Sequence, residues 1–207
     1  MIRVVAITDR RLCGDIAARV GAILAAVPRG SVAIQIREKD LDGGALLALA
    51  RELIAVARPL GAPVFVNDRV DVALIAGADG VHLPERGMPI ADARQIAPRL
   101  RIACSRHDAA GVSAADAELV QYGPIWATPG KGAPIGPEAL AVTSRARLVA
   151  IDSPQRARLV AVGGIDSPER ARLAARAGAD AVAVIRAAWR DDGAAAIAAM
   201  VRAFDPK

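Results

Sequence analysis

Three polar side chains close an apolar run early in the chain: Gln35, Arg37 and Lys39. If the extended backbone continues to Lys39, all three lie on one face, because alternate residues of a strand point the same way. A diphosphate needs several positive donors, since arginine can bind two oxygens at once and lysine supplies a compact charge. The spacing therefore predicts a diphosphate site, and the alternative is a salt-bridged strand end that involves Glu38.

An amide and a carboxylate, Asn67 and Asp68, follow the third apolar run. Their oxygens suit a hydrated Mg²⁺ that also binds substrate phosphates. The alternative is a turn pair that caps the next helix, because Asn and Asp are common in both roles. The pair alone leaves both interpretations open.

A hydroxyl and an imidazole, Ser105 and His107, follow the fifth apolar run. His107 could transfer protons, because imidazole titrates near neutral pH. The alternative for His107 is a solvated or capping residue. His82 lies inside an apolar run, so we expect it to be a hydrogen-bonded core residue instead.

A loop rich in Gly and Pro, residues 122–131, carries the hydroxyl of Thr128 and the ammonium of Lys131. It could fold over a diphosphate, with exposed backbone amides as further donors. A simple surface loop contains similar residues, so the loop is a candidate only in combination with the other clusters.

Eight short Val/Ile-rich runs alternate with amphipathic stretches rich in Ala, Leu and Arg. This alternation is typical of βα units, and eight units in 207 residues predict a single (β/α)₈ TIM barrel domain over residues 1–207. Gly-Ala-Asp, which occurs at 77–79 and at 178–180, should end a helix before a strand. The predicted strands are residues 4–7, 32–37, 64–67, 80–83, 101–105, 119–122, 159–162 and 181–185.

In such barrels the active site lies at the carboxyl ends of the strands, so the clusters above should meet at one face. Gly163-Gly164 and Ile185-Arg186 follow the seventh and eighth strands. The loops at these two positions commonly form a phosphate site, and glycine permits close approach of the backbone. We therefore expect a phosphate there.

A local duplication complicates the seventh unit, because residues 145–150 recur at 156–161 and residues 151–154 recur at 165–168. Only the second copy is followed by Gly163-Gly164. The seventh strand is therefore predicted in the second copy, and the first copy is expected to extend a helix or to form a loop.

The amino-acid composition argues against some classes of protein, namely nucleic-acid-binding and membrane-spanning proteins. The formal charge of +5 comes from scattered arginines, and five aromatic residues offer little surface for stacking bases, so nucleic-acid binding is not expected. No apolar run is long enough to span a bilayer, and the chain begins with a strand pattern rather than a signal peptide, so we expect a cytoplasmic protein. Cys13 and Cys104 lack metal-ligand spacing and are expected to be idle thiols.

Taken in order, these motifs resemble the thiamine-phosphate synthase and thiazole tautomerase family nearly end to end. The motifs are Gln35-Ile-Arg37-Glu-Lys39, Asn67-Asp68, residues 76–83, Ser105-Arg-His107, residues 123–128 with Lys131, and residues 162–165. The resemblance implies a synthase that joins a hydroxymethylpyrimidine diphosphate to a thiazole phosphate. Pyrophosphate leaves from a carbocation-like pyrimidine with the help of Mg²⁺.

The resemblance also implies roles for the candidate residues. Gln35 would contact the pyrimidine, Ser105 would orient the reacting ring, and Asp68 would ligate Mg²⁺. Lys39 would serve both catalysis and diphosphate binding. The diphosphate would be held by Arg37, Lys39, Asn67, Thr128 and Lys131, and the thiazole phosphate by Gly164 and the backbone around Ile185 and Arg186.

The chain departs from the synthase pattern in three places. Where that pattern has His-x-Gly-Gln-x-Asp, residues 82–87 read His-Leu-Pro-Glu-Arg-Gly, so Gly87 replaces the second magnesium carboxylate. Glu85 is the predicted substitute ligand, although Arg86 would compete for its carboxylate. Gly130 replaces a threonine and Arg186 a serine, which alters the expected phosphate contacts.

These departures leave two alternatives open. A thiazole tautomerase would isomerise a carboxythiazole phosphate without a metal or other cofactor, with His107 transferring the proton. A noncatalytic paralogue would only bind the thiazole phosphate. The synthase is preferred because more of its diphosphate ligands remain, and the family resemblance also suggests a homodimer.

Overall fold

Each apolar run forms a strand in the computed structural model of the chain, which describes residues 1–149 and 157–204. All strands are parallel and pair in chain order, and β1 pairs with β8, so the sheet closes as the predicted barrel. Four strands differ from their predicted bounds by one residue. The strands are β1 (Val4–Ile7), β2 (Val32–Ile36), β3 (Val64–Asn67), β4 (Gly80–Leu83), β5 (Arg101–Arg106), β6 (Leu119–Tyr122), β7 (Arg158–Val162) and β8 (Ala181–Val184).

Helices surround this barrel, and several begin at a residue whose side chain caps them. Asp15, Asp42 and Asp108 each accept a hydrogen bond from the backbone N–H three residues on, which stabilises a helix by about 1 kcal/mol. The helices are α1 (Ile16–Ala25), α2 (Gly43–Ala57), α3 (Val70–Ala76), α4 (Ile90–Ile96), α5 (Ala109–Ala114), α6 (Gly136–Val149), α7 (Pro168–Arg176), α8 (Arg186–Trp189) and α9 (Gly193–Arg202). None of the described helices is both long and apolar enough to cross a membrane.

The core has two layers, because alternate strand residues face the barrel axis and the helices. Val5, Phe65 and Leu119 belong to the inner layer, whereas Ile34 and Leu53 belong to the layer between strands and helices. Both faces of each strand are therefore buried, which explains why the strands read as continuous apolar runs. The inner layer fills the barrel beneath the carboxyl ends of the strands.

Carboxylates at the start of alternate strands bind the preceding strand. The side chain just before β4, β6 and β8 accepts the first or second backbone N–H of β3, β5 and β7, respectively. The pairs are Asp79 with Val64, Glu118 with Ile102, and Asp180 with Leu159, at 2.8, 2.7 and 2.8 Å. In both Gly-Ala-Asp motifs the glycine ends a helix in a left-handed conformation, as predicted, and the aspartate forms this bond.

The second copy of the duplicated segment forms β7, as predicted. The first copy continues α6 as far as Val149, and residues 150–156 lie outside the described residues. Only the second copy leads into Gly163, which takes a positive φ of 98° at the strand end.

Candidate active site

Polar side chains form a floor at the carboxyl end of the barrel. Gln121 Nε2 donates to Gln35 Oε1 at 2.6 Å, and Gln35 Nε2 donates to Asn67 Oδ1 at 3.3 Å. His82 Nε2 and Ser105 Oγ are 2.9 Å apart on the adjoining strands. These five residues, here called the polar floor, present hydrogen-bonding groups above an apolar barrel interior.

Gln121 is the member of the polar floor that sequence reasoning missed. It is buried at 4% exposure and pairs with Ser105 across the β5–β6 ladder. The available signal was a single amide in the otherwise apolar strand Leu119–Tyr122. A polar side chain in a buried strand must find partners, so it marks a place where other polar groups converge.

His82 is a hydrogen-bonded core residue, as predicted. It is 2% exposed, and its Nδ1 has no hydrogen-bond partner in the described structure. Burial lowers the pKa of His82 to about 3, with smaller contributions from the charges of Arg37 and Arg106. The ring is therefore neutral near pH 7, and Nε2 holds the Ser105 hydroxyl at the floor.

The end of β2 differs from the predicted pleat. The strand stops at Ile36, and the N–H of Arg37 donates to Thr8 Oγ1 at 2.9 Å. Glu38 then turns inward and accepts hydrogen bonds from Arg10 N and Nη1 at 3.1 and 3.2 Å. The strand therefore ends one residue before its predicted bound, so the condition for a shared face of residues 35, 37 and 39 is not met by regular strand pairing.

The two cations that follow β2, Arg37 and Lys39, remain available to bind an anion. Arg37 is half-buried and Lys39 is exposed, and neither forms an ion pair with any residue in the described part of the chain. The carboxylates of Glu38 and Asp40 are bound by Arg10 instead. The salt-bridged alternative thus applies to Glu38 but not to the two cations.

Asp68 does not cap α3, since the residue at that position is Arg69 and its side chain makes no capping bond. Asp68 has a φ of 67°, and it is the one non-glycine residue in the described ranges with a positive φ. Such backbone strain is concentrated at functional sites. A Cβ built on Gly87 would lie 2.9 Å from Asp68 Oδ1, so the position that lacks the family's second carboxylate directly adjoins Asp68.

Glu85, the predicted second metal ligand, lies against His107. His107 N donates to Glu85 Oε1 at 3.2 Å, and His107 Nε2 lies 3.5 Å from Glu85 Oε2. His107 Nδ1 is 2.7 Å from the Gly123 carbonyl oxygen, which can only accept, so Nδ1 carries a proton. The group that competes for Glu85 is therefore His107 rather than Arg86. Within the described residues, no cluster of three or more His, Cys, Asp or Glu side chains could hold a metal.

The loop after β6 packs directly on the loop after β7. Trp126 N donates to the Gly163 carbonyl at 3.1 Å, and a Cβ on Gly164 would lie 2.6 Å from Trp126 Cβ. Gly164 also has a φ of 66°, so glycine is required both for backbone conformation and for close approach. Thr128 Oγ1 donates to the Trp126 carbonyl at 2.9 Å, and Lys131 is exposed at the rim.

A four-residue helix, α8, begins at Arg186 directly after β8. Its residue Trp189 is buried and donates from Nε1 to the Ile7 carbonyl at 2.7 Å, which anchors the helix on β1. No side chain caps α8 at Ile185, so its first N–H groups are left for another acceptor. A short extra helix after the eighth strand is typical of barrel phosphate sites.

Known proteins resemble this chain in sequence over most of its length. The family model described as thiamine monophosphate synthase matches residues 4–188. A putative thiamine-phosphate synthase from Geobacter sulfurreducens is 43% identical over 151 residues, covering 67% of this chain and 68% of that protein. The thiamine-phosphate synthase of Roseiflexus castenholzii is 38% identical over 208 residues, covering 97% and 82%.

A solved structure shows the same similarity in three dimensions. The thiamine phosphate pyrophosphorylase from Pyrococcus furiosus matches with a TM-score of 0.85 and 31% identity, covering 98% of this chain and 95% of that one. Both the sequence and the fold are thus shared over almost the whole length. The chain belongs to the thiamine monophosphate synthase family.

Proposed function

We propose that the protein is a thiamine-phosphate synthase, which couples a hydroxymethylpyrimidine diphosphate to a thiazole phosphate and releases pyrophosphate. The observation that carries the proposal is the unpaired positive charge of Arg37 and Lys39 directly after β2, the strand that carries Gln35 of the polar floor, with Arg37 close enough to act on the pKa of His82. The relatives from Geobacter sulfurreducens and Roseiflexus castenholzii are named as a putative thiamine-phosphate synthase and a thiamine-phosphate synthase.

In this proposal the chain's own residues bind and orient both substrates. The Gln35 amide faces the pyrimidine, and the Ser105 hydroxyl, held by His82, orients the reacting ring. The bond between the pyrimidine methylene carbon and the diphosphate oxygen breaks, the electron pair leaves with pyrophosphate, and the thiazole nitrogen bonds to the carbon. Donors that bind the diphosphate lower the barrier, because its negative charge grows as the bond breaks. The proposed donors are Arg37, Lys39, Asn67 and Lys131, together with Thr128, whose hydroxyl would have to turn from the Trp126 carbonyl toward the diphosphate.

The thiazole phosphate would occupy the opposite side of the mouth. Gly164 brings its backbone close without a side chain, and the backbone N–H groups at Ile185 and Arg186 start α8 without a cap. Arg186 is exposed and makes no ion pair with the described residues, so its charge is available to the phosphate.

The site suits a Mg²⁺ ion that is bound by one carboxylate together with substrate phosphates. Mg²⁺ is commonly bound through one or two carboxylates together with substrate phosphates, and Asp68 offers one exposed carboxylate at the mouth. When bound there, the ion would neutralise charge on the diphosphate. Glu85 as a second ligand stays a prediction, because in this structure its carboxylate accepts from His107.

A second candidate function, the metal-independent thiazole tautomerase, is favoured by one observation. His107 is held at Nδ1 by Gly123 and faces Glu85 with Nε2, while Gly87 leaves Asp68 without a second carboxylate. A half-exposed imidazole held in this way can move a proton in the isomerisation of a carboxythiazole phosphate. No cofactor would be required.

The deciding experiment is turnover by the purified protein. The protein is incubated with the pyrimidine diphosphate plus the thiazole phosphate, and separately with the carboxythiazole phosphate, each with Mg²⁺ or a chelator. Thiamine phosphate that forms only with Mg²⁺ supports the synthase, whereas isomerisation that is insensitive to the chelator supports the tautomerase. Binding of thiazole phosphate without either product would leave the noncatalytic paralogue.

Three further features belong to the proposal and stay predictions. They are the homodimer, the cytoplasmic location and the assignment of residues 1–207 to one domain. Each follows from the family resemblance or the composition.

A further inference from the structure

An open cavity lies at the end of the barrel where the strands begin, opposite the candidate active site. Its volume is about 470 Å³, within the range of roughly 300–1,000 Å³ that is usual for small-molecule sites. We propose that this N-face cavity is a binding site for a small phosphate-bearing anion, separate from the candidate active site. It is lined by Met1, Ile2, Gly30, Arg58, Gly61, Ala62, Pro63, Asp79, Arg101 and Arg158.

Three guanidinium groups from separate elements converge on the N-face cavity. Arg101 begins β5 and Arg158 begins β7, and both lie in register with inward-facing residues of the neighbouring strands. Arg58 follows α2 and donates from Nη2 to the Gly77 carbonyl at 2.8 Å. None of the three forms an ion pair with a carboxylate among residues 1–149 and 157–204.

The arginines are held by neutral groups rather than by direct ion pairs with carboxylates of the described residues. Arg101 stacks over the Phe65 ring with its Cζ 5.3 Å from the centroid, and Arg158 donates to the backbone carbonyls of Ile2 and Asp180. The pKa of Arg158 is lowered, first by burial, while Asp180 acts to raise it and Arg3 and Arg101 lower it further. Positive charge is thus concentrated at this end.

The nearby carboxylates offset only part of this charge. Asp79 is the one carboxylate among the lining residues, and its Oδ2 already accepts from Val64 N at 2.8 Å. Asp180, near Arg158, accepts from Leu159 N at 2.8 Å. Arg3 adds a further cation near Arg158, and Glu118, the third carboxylate at these strand starts, is paired with Arg94, so the cations still exceed the carboxylates of the described residues.

This arrangement favours a phosphate over a single carboxylate. A guanidinium binds two oxygens of one anion, so three guanidinium groups from different directions match an anion with several oxygens. Apolar side chains of Ile2, Ala62 and Pro63 complete the wall. The inner core layer, which includes Phe65, lies between the two ends of the barrel, so the two sites are separate.

The test measures binding of pyrophosphate by isothermal titration calorimetry. The background is the Arg37→Ala/Lys39→Ala double variant, which weakens the candidate active site. We expect this protein still to bind pyrophosphate, and we expect Arg101→Gln or Arg58→Gln added to it to weaken binding by about tenfold or more. Arg51→Gln, on the exposed surface of α2, is the matched control and should leave binding unchanged.

Arg58 is the more informative position if Arg101→Gln fails to fold, because Arg58 is exposed and lies outside the barrel wall. The proposal is overturned if the double variant binds no pyrophosphate, or if Arg58→Gln binds as tightly as the Arg51→Gln control. Turnover by Arg58→Gln should equal that of the wild type, so this result and the outcome for the proposed function are read independently.

Two probes separate the sources of the phosphate. Inorganic pyrophosphate and adenosine 5′-diphosphate carry the same diphosphate, but only the second carries an organic body. Tighter binding of adenosine diphosphate that is lost in Arg58→Gln identifies a phosphoester, and tighter binding of pyrophosphate identifies an inorganic ligand. If Arg51→Gln weakened the binding of pyrophosphate and adenosine diphosphate as much as Arg58→Gln does, the result would contradict a site at the N-face cavity.

Discussion

At the mouth of the barrel, neighbouring charged residues of one segment have different partners. Glu38 is buried against Arg10, whereas Arg37 and Lys39 remain without ion pairs in the described structure. Two unpaired cations at one strand end repel each other, and a bound anion would relieve that repulsion. They therefore indicate the place where a polyanionic substrate should bind.

Lys39 should therefore contribute to turnover rather than to stability. In the synthase reaction, Lys39→Ala should lower kcat/KM on the order of 100-fold, because it removes a donor from the departing diphosphate. Steady-state kinetics with the pyrimidine diphosphate varied would measure this. Arg51→Ala, which removes an exposed cation from α2, should have no effect. Equal rates for Lys39→Ala and Arg51→Ala would remove Lys39 from the site.

His82 should make folding depend on pH. Its pKa is lowered to about 3 from 6.5, so between these values the unfolded chain binds a proton that the folded chain does not. Stability is then lost as the pH falls below 6.5. Between about pH 7 and pH 5 the loss due to His82 should be about 2 kcal/mol.

Urea unfolding of His82→Gln at both pH values tests this. The variant should lack that part of the pH dependence, since glutamine has no charge to gain. An unchanged slope in His82→Gln would show that other groups control the acid sensitivity.

Among the elements, strand starts and strand ends are stabilised in different ways. Side-chain carboxylates bind the starts of β3, β5 and β7, whereas at the other end of the barrel the loops after β6 and β7 pack on each other. The hydrogen bonds at the starts should therefore contribute to stability, and the contact between the two loops should shape the candidate active site. Each arrangement predicts a distinct mutational effect.

Among the hydrogen bonds at the strand starts, the one from Ile102 N to the Glu118 carboxylate should give the most informative test of stability. Glu118→Ala leaves the buried N–H of Ile102 without its acceptor, so the free energy of unfolding should fall by about 1–3 kcal/mol. Glu118→Gln retains an acceptor and should restore most of this. Asp116→Ala, which removes an 82% exposed partner of Arg94, should cost little. Similar losses in Glu118→Ala and Asp116→Ala would contradict the role of the backbone bond.

Gly164 tests the contact between the loops after β6 and β7. Gly164→Ala combines a positive φ with a Cβ 2.6 Å from Trp126 Cβ, so it should destabilise the protein by about 2–4 kcal/mol. Gly130→Ala is matched, with a φ of 73° but no atom within 4 Å of the new Cβ, and should cost only about 1 kcal/mol. Chemical denaturation measures both, and equal costs would show that the steric contact is unimportant.

For the whole molecule, closure of the barrel makes each strand depend on two neighbours. β8 joins β7 to β1, and Arg3 stacks on Phe204 near the other end of the chain at 5.6 Å. The sheet therefore has no free edge within the described strands, and loss of one strand would expose two edges together with the inner core.

Cooperative folding should therefore require the last βα unit. A chain that ends at Arg176 lacks β8, α8 and α9, and it should show no cooperative thermal unfolding by circular dichroism. The control is a circular permutant that moves residues 178–207 to the front through a short Gly/Ser linker, because it breaks the chain nearby but keeps every strand. A cooperative transition in the truncated chain would show that closure is dispensable.

Much of the architecture could be predicted from the sequence because it depends on local patterns. Apolar runs of four to six residues, aspartates that cap helices and glycines that end them act within a few residues of themselves. The candidate residues at strand ends followed from the same periodicity, since strand order in a barrel places all carboxyl ends on one face.

The contacts across the barrel were decided only in three dimensions. Nothing local indicates that Gln121 would meet Gln35, which lies 86 residues away, or that Glu85 would face His107. The N-face cavity likewise depends on Arg58 and Arg101 converging from separate units. Such pairs are set by closure and packing, because a hydrogen bond or a shared cavity requires partners whose distance along the chain carries no signal.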